Sequence, residues 1–223
     1  MFVDFDGTIA PLDTTDLLLE RFADPSWQEI EDEWKAGRIG SRECLVRQID
    51  LVRATPAQFD DFIGDIEIDP GFPDFVGLCR DKGHAVTVVS DGLDRTVGSV
   101  LKRSGIELAY FANRLEWVGG DRWRLTFPHA RNDCQSLSGN CKCRFADASA
   151  GMVRIVVGDG RSDFCVAERA ELVLAKGALA RHCRSSDLPY FGFQSFSEAT
   201  ELLGRWIEEG SGRAERRELL RDD

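Results

Sequence analysis

Four short apolar runs constrain this chain more than anything else in it: MFVDF (1–5), HAVTVVS (84–90), VRIVVGD (153–159) and ELVLAK (171–176). Each is rich in β-branched residues and gives way to polar residues or Gly. Continuous apolar runs this short suit strands of a parallel sheet buried on both faces, where neither side of the strand meets water. Helical spacing fills the gaps between them. PGFPDFVGLCRDKG (70–83) and LDRTVGSVLKRSG (93–105) each end in a Gly placed for a helix C′ position. SDFCVAERA (162–170) and SFSEATELLGRWIEE (195–209) follow, the latter opening with Ser195 and Glu198 at capping-box spacing. Strands alternating with helices predict an α/β fold, doubly wound around a mostly parallel sheet.

Two stretches break the alternation. Residues 12–69 contain no strand-like run. They show helix starts of capping-box spacing at Ser26 with Glu29 and at Thr55 with Gln58, and place Cys44, Leu45, Gln48, Ile49 and Val52 at helical spacing. The expectation is a small helical cap, 12–69, inserted after the first strand of a core built from 1–11 and 70–209. The second stretch, RLEWVGGDRWRLTF (114–127), reads as a β-hairpin turning at Gly119 and Gly120. Its aromatics Trp117, Trp123 and Phe127 are expected to pack on the core. The tail 210–223 is charged, poor in apolar residues and expected to be disordered.

Composition narrows the partners. A length of 223 residues with 43% hydrophobic residues suits one core domain carrying a small insert. A net charge of −11 repels nucleic-acid backbones and anionic membrane surfaces, while leaving room for a small phosphorylated anion in a local positive pocket. No run of about 18 apolar residues is present to span a membrane. The first residues read as a core strand rather than a secretory signal, which leaves room for a few residues upstream of Met1. Seven cysteines, an odd number, argue for free thiols or metal and hence for the cytoplasm. No sequence feature sets an oligomeric state.

Chemistry concentrates where the strands end. Ligands of open parallel sheets bind outside the carboxyl ends of the strands, and here those ends are DFDGT, VSDG and VGDGRSD. Asp4 and Asp6, two residues apart on a strand, share a face and repel each other unless something cationic intervenes. Asp159 and Asp163, with Gly158 and Gly160 permitting a tight turn, add carboxylate oxygens of the kind that suit Mg²⁺. Ser90, at a strand end ahead of a helix, can join backbone N–H groups in a phosphate cradle. Lys142, in GNCKCR, is the leading candidate for the cation a dianionic phosphoryl group needs. Taken singly, each has a plainer reading: a strand-ending Asp, an N-capping Ser, a solvated Lys. Three such endings together favour a site.

In order, DFDGT, a strand-ending Ser, a Lys and GDGxSD resemble the motifs of the haloacid dehalogenase-like phosphatase superfamily, over residues 1–176. A helical cap between the first two motifs resembles the phosphoserine phosphatase group. FPHARNDCQSLSGNCK resembles the stretch before the motif Lys of the methionine-salvage phosphatases that act on 2-hydroxy-3-keto-5-methylthiopentenyl-1-phosphate. The resemblance implies a Mg²⁺-dependent phosphomonoester hydrolase working through an aspartyl-phosphate. Asp4 would be the nucleophile and Asp6 the acid and base. Ser90 and Lys142 would hold the phosphoryl oxygens. Asp4, the Asp6 backbone carbonyl, Asp159 and Asp163 would hold the metal. Asp6 itself favours phosphate esters over halides, because a leaving halide needs no proton. The alternatives are a phosphotransferase or mutase of the same superfamily and a relative that binds phosphorylated ligands without turnover.

Some positions depart from the family pattern. Ser90-Asp91-Gly92 stands where Ser-Gly-Gly is usual, so Asp91 is expected beside the phosphate pocket, disfavouring an anionic substrate or contacting a cationic one. Gly7 replaces the usual Ser, which argues against phosphoserine itself. Arg47 lies where the family often has a substrate-facing Arg, with an exposed helix charge as the plain alternative. His129, Cys134, Cys141 and Cys143 make a possible structural zinc set, for which free thiols in a loop are the preferred reading.

Overall fold

The computed structural model describes residues 1–134, 136–149 and 151–209. The strands are β1 (Phe2–Val3), β2 (Thr87–Leu93), β3 (Ala109–Gly119), β4 (Arg122–Thr126), β5 (Ile155–Gly158), β6 (Leu172–Ala175) and β7 (Tyr190–Gly192). They form one sheet of order β4-β3-β2-β1-β5-β6-β7, parallel throughout except for the β3–β4 pair. β1 lies between β2 and β5, which brings the first three apolar runs side by side.

The sheet is buried on both faces, and alternation along the strands assigns each residue to one of them. Ile155 and Val157 of β5 and Leu172 and Leu174 of β6 join the largest core cluster with Val3. Their neighbours Val156, Val173 and Ala175 pack the other way, into two smaller clusters. Continuous apolar runs thus become two-sided strands.

Four helices, α1 (Thr14–Phe22), α2 (Trp27–Lys35), α3 (Ser41–Ile49) and α4 (Pro56–Gly64), lie between β1 and α5 (Phe72–Asp81). After β2 come α6 (Asp94–Arg103) and, beyond the hairpin, α7 (Lys142–Ala148), α8 (Phe164–Ala167), α9 (Gly177–Ser185) and α10 (Phe196–Glu208). Phe72 and Phe75 of α5 meet Phe196 of α10 edge to face, with ring centroids 4.8 and 5.1 Å apart. The Thr55 capping box forms, but Ser26 makes no capping bond: its hydroxyl donates to Asp24 at 2.6 Å instead.

Several expectations need correction. β2 begins and ends three residues later than the apolar run 84–90. The segment read as one arm of a hairpin is the second half of a longer strand, whose first half, Ala109–Asn113, pairs in parallel with β2. The hairpin turns at Gly120 and Asp121, because Gly119 still pairs with Arg122. Gly119 and Gly120 both have positive φ, 123° and 57°, the conformation a tight turn needs. Only Trp123 of the hairpin aromatics is fully buried. Its ring lies 4.9 Å from that of Phe59, and its indole N–H donates to Ala54 O at 2.8 Å, whereas Trp117 is 54% exposed. α1, α7, α9 and β7 have no counterpart in the sequence reading. Among the described residues, no helix is long and apolar enough to cross a membrane. The disorder expected of 210–223 concerns residues outside those described.

Candidate active site

Asp4 directly follows β1, and its backbone N–H donates to Val157 O at 2.9 Å, which seats it against the end of β5. The side chain is buried, 6% exposed. One carboxylate oxygen, Oδ1, accepts from the Phe5 N–H at 2.7 Å; the other, Oδ2, accepts from Lys142 Nζ at 2.7 Å, with Ser162 Oγ 3.5 Å away. Lys142 opens α7 and is itself buried. Its ammonium also reaches Asp163 Oδ1, at 2.6 Å. Burial disfavours that charge, but Asp163 and Asp4 outweigh burial and hold the Lys142 pKa above its ordinary value.

Carboxylate oxygens of Asp4, Asp159 and Asp163 lie within 4.8 Å of one another. Lys142, even with Lys176 acting on Asp159, supplies fewer positive charges than three carboxylates carry. Burial, and then Asp4, push the Asp159 and Asp163 carboxyls above their usual range. A hard, oxygen-preferring divalent cation is the counter-charge such a donor set suits. The residues therefore fit Mg²⁺.

Asp6 faces a different environment. Its Oδ1 accepts from the backbone N–H and the hydroxyl of Thr14, at 2.8 and 2.5 Å, and Oδ2 accepts from Ser90 Oγ at 3.2 Å. Burial first, and neighbouring Asp13 second, push the Asp6 carboxyl up to about 8, against the hydrogen bonds from Thr14. Ser90 is fully buried, and its oxygen accepts from Gly92 N at 2.8 Å. A Cβ at Gly92 would collide with the Asp6 carboxylate, so the backbone can pass that close only as Gly. Gly7, at φ 69°, likewise leaves no room for a Cβ beside Asp159, whose Oδ1 accepts from Thr8 Oγ1 at 2.8 Å.

The structure therefore brings together Asp4, Asp6, Ser90, Gly92, Lys142, Asp159 and Asp163. Arg47 stands apart: its guanidinium donates to both oxygens of Glu33 on α2, at 2.7 and 3.1 Å. Asp91 is engaged by Ser41, Asn113 and Asn140. The possible zinc set does not assemble. Among the described residues the aspartate trio is the one metal-competent group. Cys134 Sγ lies 3.4 Å from Ser136 Oγ, while the His129 ring packs edge-on against Phe111 at 5.2 Å. All seven cysteines are free thiols. Sequence reasoning missed Thr14, which holds Asp6, and Lys176, whose Nζ donates to Thr8 O at 3.3 Å. Neither has a local signal, since each contact depends on how a later segment folds back.

A family model for haloacid dehalogenase-like hydrolases matches residues 1–168. A 2-hydroxy-3-keto-5-methylthiopentenyl-1-phosphate phosphatase of Geobacillus thermodenitrificans is 30% identical over 213 residues, covering 92% of this chain and 95% of that protein. A protein of the same name from an Exiguobacterium species is 31% identical over 205 residues, covering 90% and 94%. A solved phospho-aspartyl intermediate analogue of phosphoserine phosphatase superposes with a TM-score of 0.63 at 23% identity, over 81% of this chain and 88% of that one. A phosphoserine phosphohydrolase-like protein from Francisella tularensis gives 0.65 at 19% identity, over 90% and 97%. The two solved structures establish the shared fold; the family match and the named relatives go further. The chain is a phosphatase that belongs to the haloacid dehalogenase-like hydrolase family.

Proposed function

We propose that the protein is a Mg²⁺-dependent phosphomonoester hydrolase that acts on a small phosphorylated metabolite through an aspartyl-phosphate on Asp4. The observation that carries this reading is the buried contact of Lys142 with both Asp4 and Asp163 beside a third carboxylate, Asp159. A single ammonium is placed to hold a phosphoryl oxygen next to the attacking carboxylate, and the excess negative charge calls for a metal.

In the first step an Asp4 oxygen forms a bond to phosphorus as the bond to the leaving oxygen breaks, and Asp6 gives its proton to that oxygen. A carboxyl pushed up to about 8 retains this proton near neutral pH, as an acid catalyst requires. In the second step Asp6 takes a proton from water, whose oxygen attacks phosphorus and releases inorganic phosphate and the Asp4 carboxylate. Ser90 and Lys142 bind the phosphoryl oxygens throughout. Asp4, Asp159, Asp163 and the Asp6 backbone carbonyl would hold Mg²⁺, which when bound neutralises phosphoryl charge. The helical segment 12–69 serves as a cap that limits access and excludes water during the first step.

The names of the curated relatives make 2-hydroxy-3-keto-5-methylthiopentenyl-1-phosphate the first substrate to try. Seven free thiols suit a cytoplasmic setting. The test is phosphate release, with and without Mg²⁺, from a panel holding that enol phosphate, phosphoserine, phosphocholine, phosphoethanolamine and sugar phosphates. Mg²⁺-dependent turnover that strongly favours one compound is expected. Absence of turnover across the panel counts against hydrolysis.

A further inference from the structure

Asp91 follows Ser90 directly, yet its carboxylate is turned toward protein donors. Oδ2 accepts from Ser41 Oγ at 2.6 Å, while Oδ1 accepts from the Asn140 backbone N–H at 2.7 Å and from Asn113 Nδ2 at 3.2 Å. Asn140 closes the circuit, donating its side-chain amide to Ser90 O at 2.8 Å and Phe111 O at 2.7 Å. Ser90, Asn113 and Asn140 are all fully buried. Asn140 is thus gripped at its backbone by Asp91 and at its side chain by the carbonyl of Ser90, two residues before Lys142. Burial pushes the Asp91 carboxyl upward, while the bonds from Ser41, Asn140 and Asn113 favour the charged form.

Ser41 is the first residue of α3, and the same turn touches two loops of the site. Arg42 donates from its backbone to Leu137 O at 3.1 Å and from its guanidinium to Arg131 O at 3.3 Å, both on the loop that leads to Lys142. On the α2 side, Lys35 O accepts from Arg161 Nη1 at 3.3 Å, and the Arg161 guanidinium lies 5.4 Å from the centre of the Trp34 ring. Arg161 belongs to the loop of Asp159 and Asp163. Residues 34–42 therefore meet β2 and both loops, and Asp91 is the carboxylate at the β2 meeting point.

We propose that Asp91 is a positioning residue, which ties the loop before Lys142 and the start of α3 to one anchor and so sets the Ser90–Lys142 spacing together with the seating of the helical segment. This rests on the reading of Ser90 and Lys142 as the groups that hold the phosphoryl oxygens. It replaces the expectation that Asp91 meets a cationic substrate. Side chains that orient a binding group must hold it to a fraction of an ångström, and a single half-buried carboxylate with three donors can do so.

The experiment compares Asp91→Ala and Asp91→Asn in the Mg²⁺-loaded protein, with p-nitrophenyl phosphate and phosphoethanolamine as substrates. Misplacing a reacting group by about 1 Å costs up to about 100-fold, so Asp91→Ala is expected to lower kcat about 10- to 100-fold on both substrates. Asp91→Asn keeps one oxygen for Asn140 and offers an N–H to Ser41 Oγ, so it should restore kcat to near the wild-type value. Unchanged kcat in Asp91→Ala overturns the proposal. So does an Asp91→Asn variant that raises KM for phosphoethanolamine alone, since the carboxylate would then be a substrate ligand. Should Asp91→Ala fail to fold, Ser41→Ala carries the test: kcat and KM are expected to change together on both substrates, and unchanged constants overturn it. Binding of inorganic phosphate, measured by calorimetry, needs no turnover and separates the two readings. Weaker phosphate binding by Asp91→Ala supports the positioning role even where the wild-type protein hydrolyses nothing, an outcome that sinks only the hydrolase reading. Equal phosphate affinity in the two proteins overturns the positioning role.

Discussion

Two groups of buried or half-buried carboxylates show what separates a site from a structural junction. Asp69 and Asp91 are met by neutral donors: Asp69 accepts from Gly71 N at 2.9 Å and Phe196 N at 3.1 Å, and Asp91 from Ser41, Asn113 and Asn140. Asp4, Asp159 and Asp163 are crowded by one another, with Lys142 as the ammonium that two of them share. Neutral donors stabilise a carboxylate without asking for anything else. Crowded carboxylates with too little positive charge remain reactive and ask for a cation. Each group mixes buried and half-buried members; charge balance is what differs.

Removing the attacking oxygen is the most direct way to break this contrast. Asp4→Asn is expected to abolish phosphate release while the protein keeps its fold and thermal transition. Full activity in that variant would overturn the nucleophile assignment. Next in size is Lys142→Met, which leaves Asp4 and Asp163 without their shared ammonium. Breaking a buried pair in this way costs about 3 to 5 kcal/mol, read by denaturant titration. Added Mg²⁺ should recover part of the loss, and a loss indifferent to Mg²⁺ would count against a metal among these carboxylates.

Asp69→Ala sharpens the comparison from the other side. It orphans two buried N–H groups, at an expected cost of about 1 to 3 kcal/mol. The same titration should show that cost to be independent of Mg²⁺, with kcat unchanged; a Mg²⁺-dependent loss would place Asp69 with the site. The smallest effect concerns Asp16, on α1, whose carboxyl is pushed up to about 6 by burial and by Glu31. Its unfolded value lies near 3.9, so the folded protein binds this proton more tightly. The destabilisation is fully present above pH 6, shrinks as pH falls, and is gone below about pH 4. Asp16→Asn should therefore raise Tm slightly at pH 8 and leave it unchanged at pH 4. A gain that is the same at both values would point to packing instead.

The element types proved more legible than their edges. Runs such as IVVG and LVLA of β5 and β6 stood out because a strand buried on both faces is apolar at every position. β7, with the three residues YFG at the rim of the sheet, is half-buried to exposed and has no such pattern. The parallel half of β3 was hidden by its continuity with the hairpin. Capping spacing identified Thr55 correctly and Ser26 incorrectly, because Asp24 competes locally for the Ser26 hydroxyl. The site motifs could be read because Asp4 and Asp159 each follow a strand whose end the apolar run marks, while Ser90 closes an apolar run but lies within β2, which continues to Leu93.

By itself, then, the sequence determined the parallel α/β core, the helical stretch after the first strand and the strand ends that meet at the site. These depend on patterns within a few residues, which burial and backbone geometry impose locally. Tertiary structure decided who partners whom. Arg47 turns to Glu33, Thr14 returns to Asp6, His129 packs against Phe111, and Asp91 joins Ser41 to Asn140 across sequence separations of 50 and 49 residues. A hydrogen bond acts over about 3 Å and demands direction. Only the folded backbone, which sets those distances, can determine which of many competent donors a given carboxylate receives.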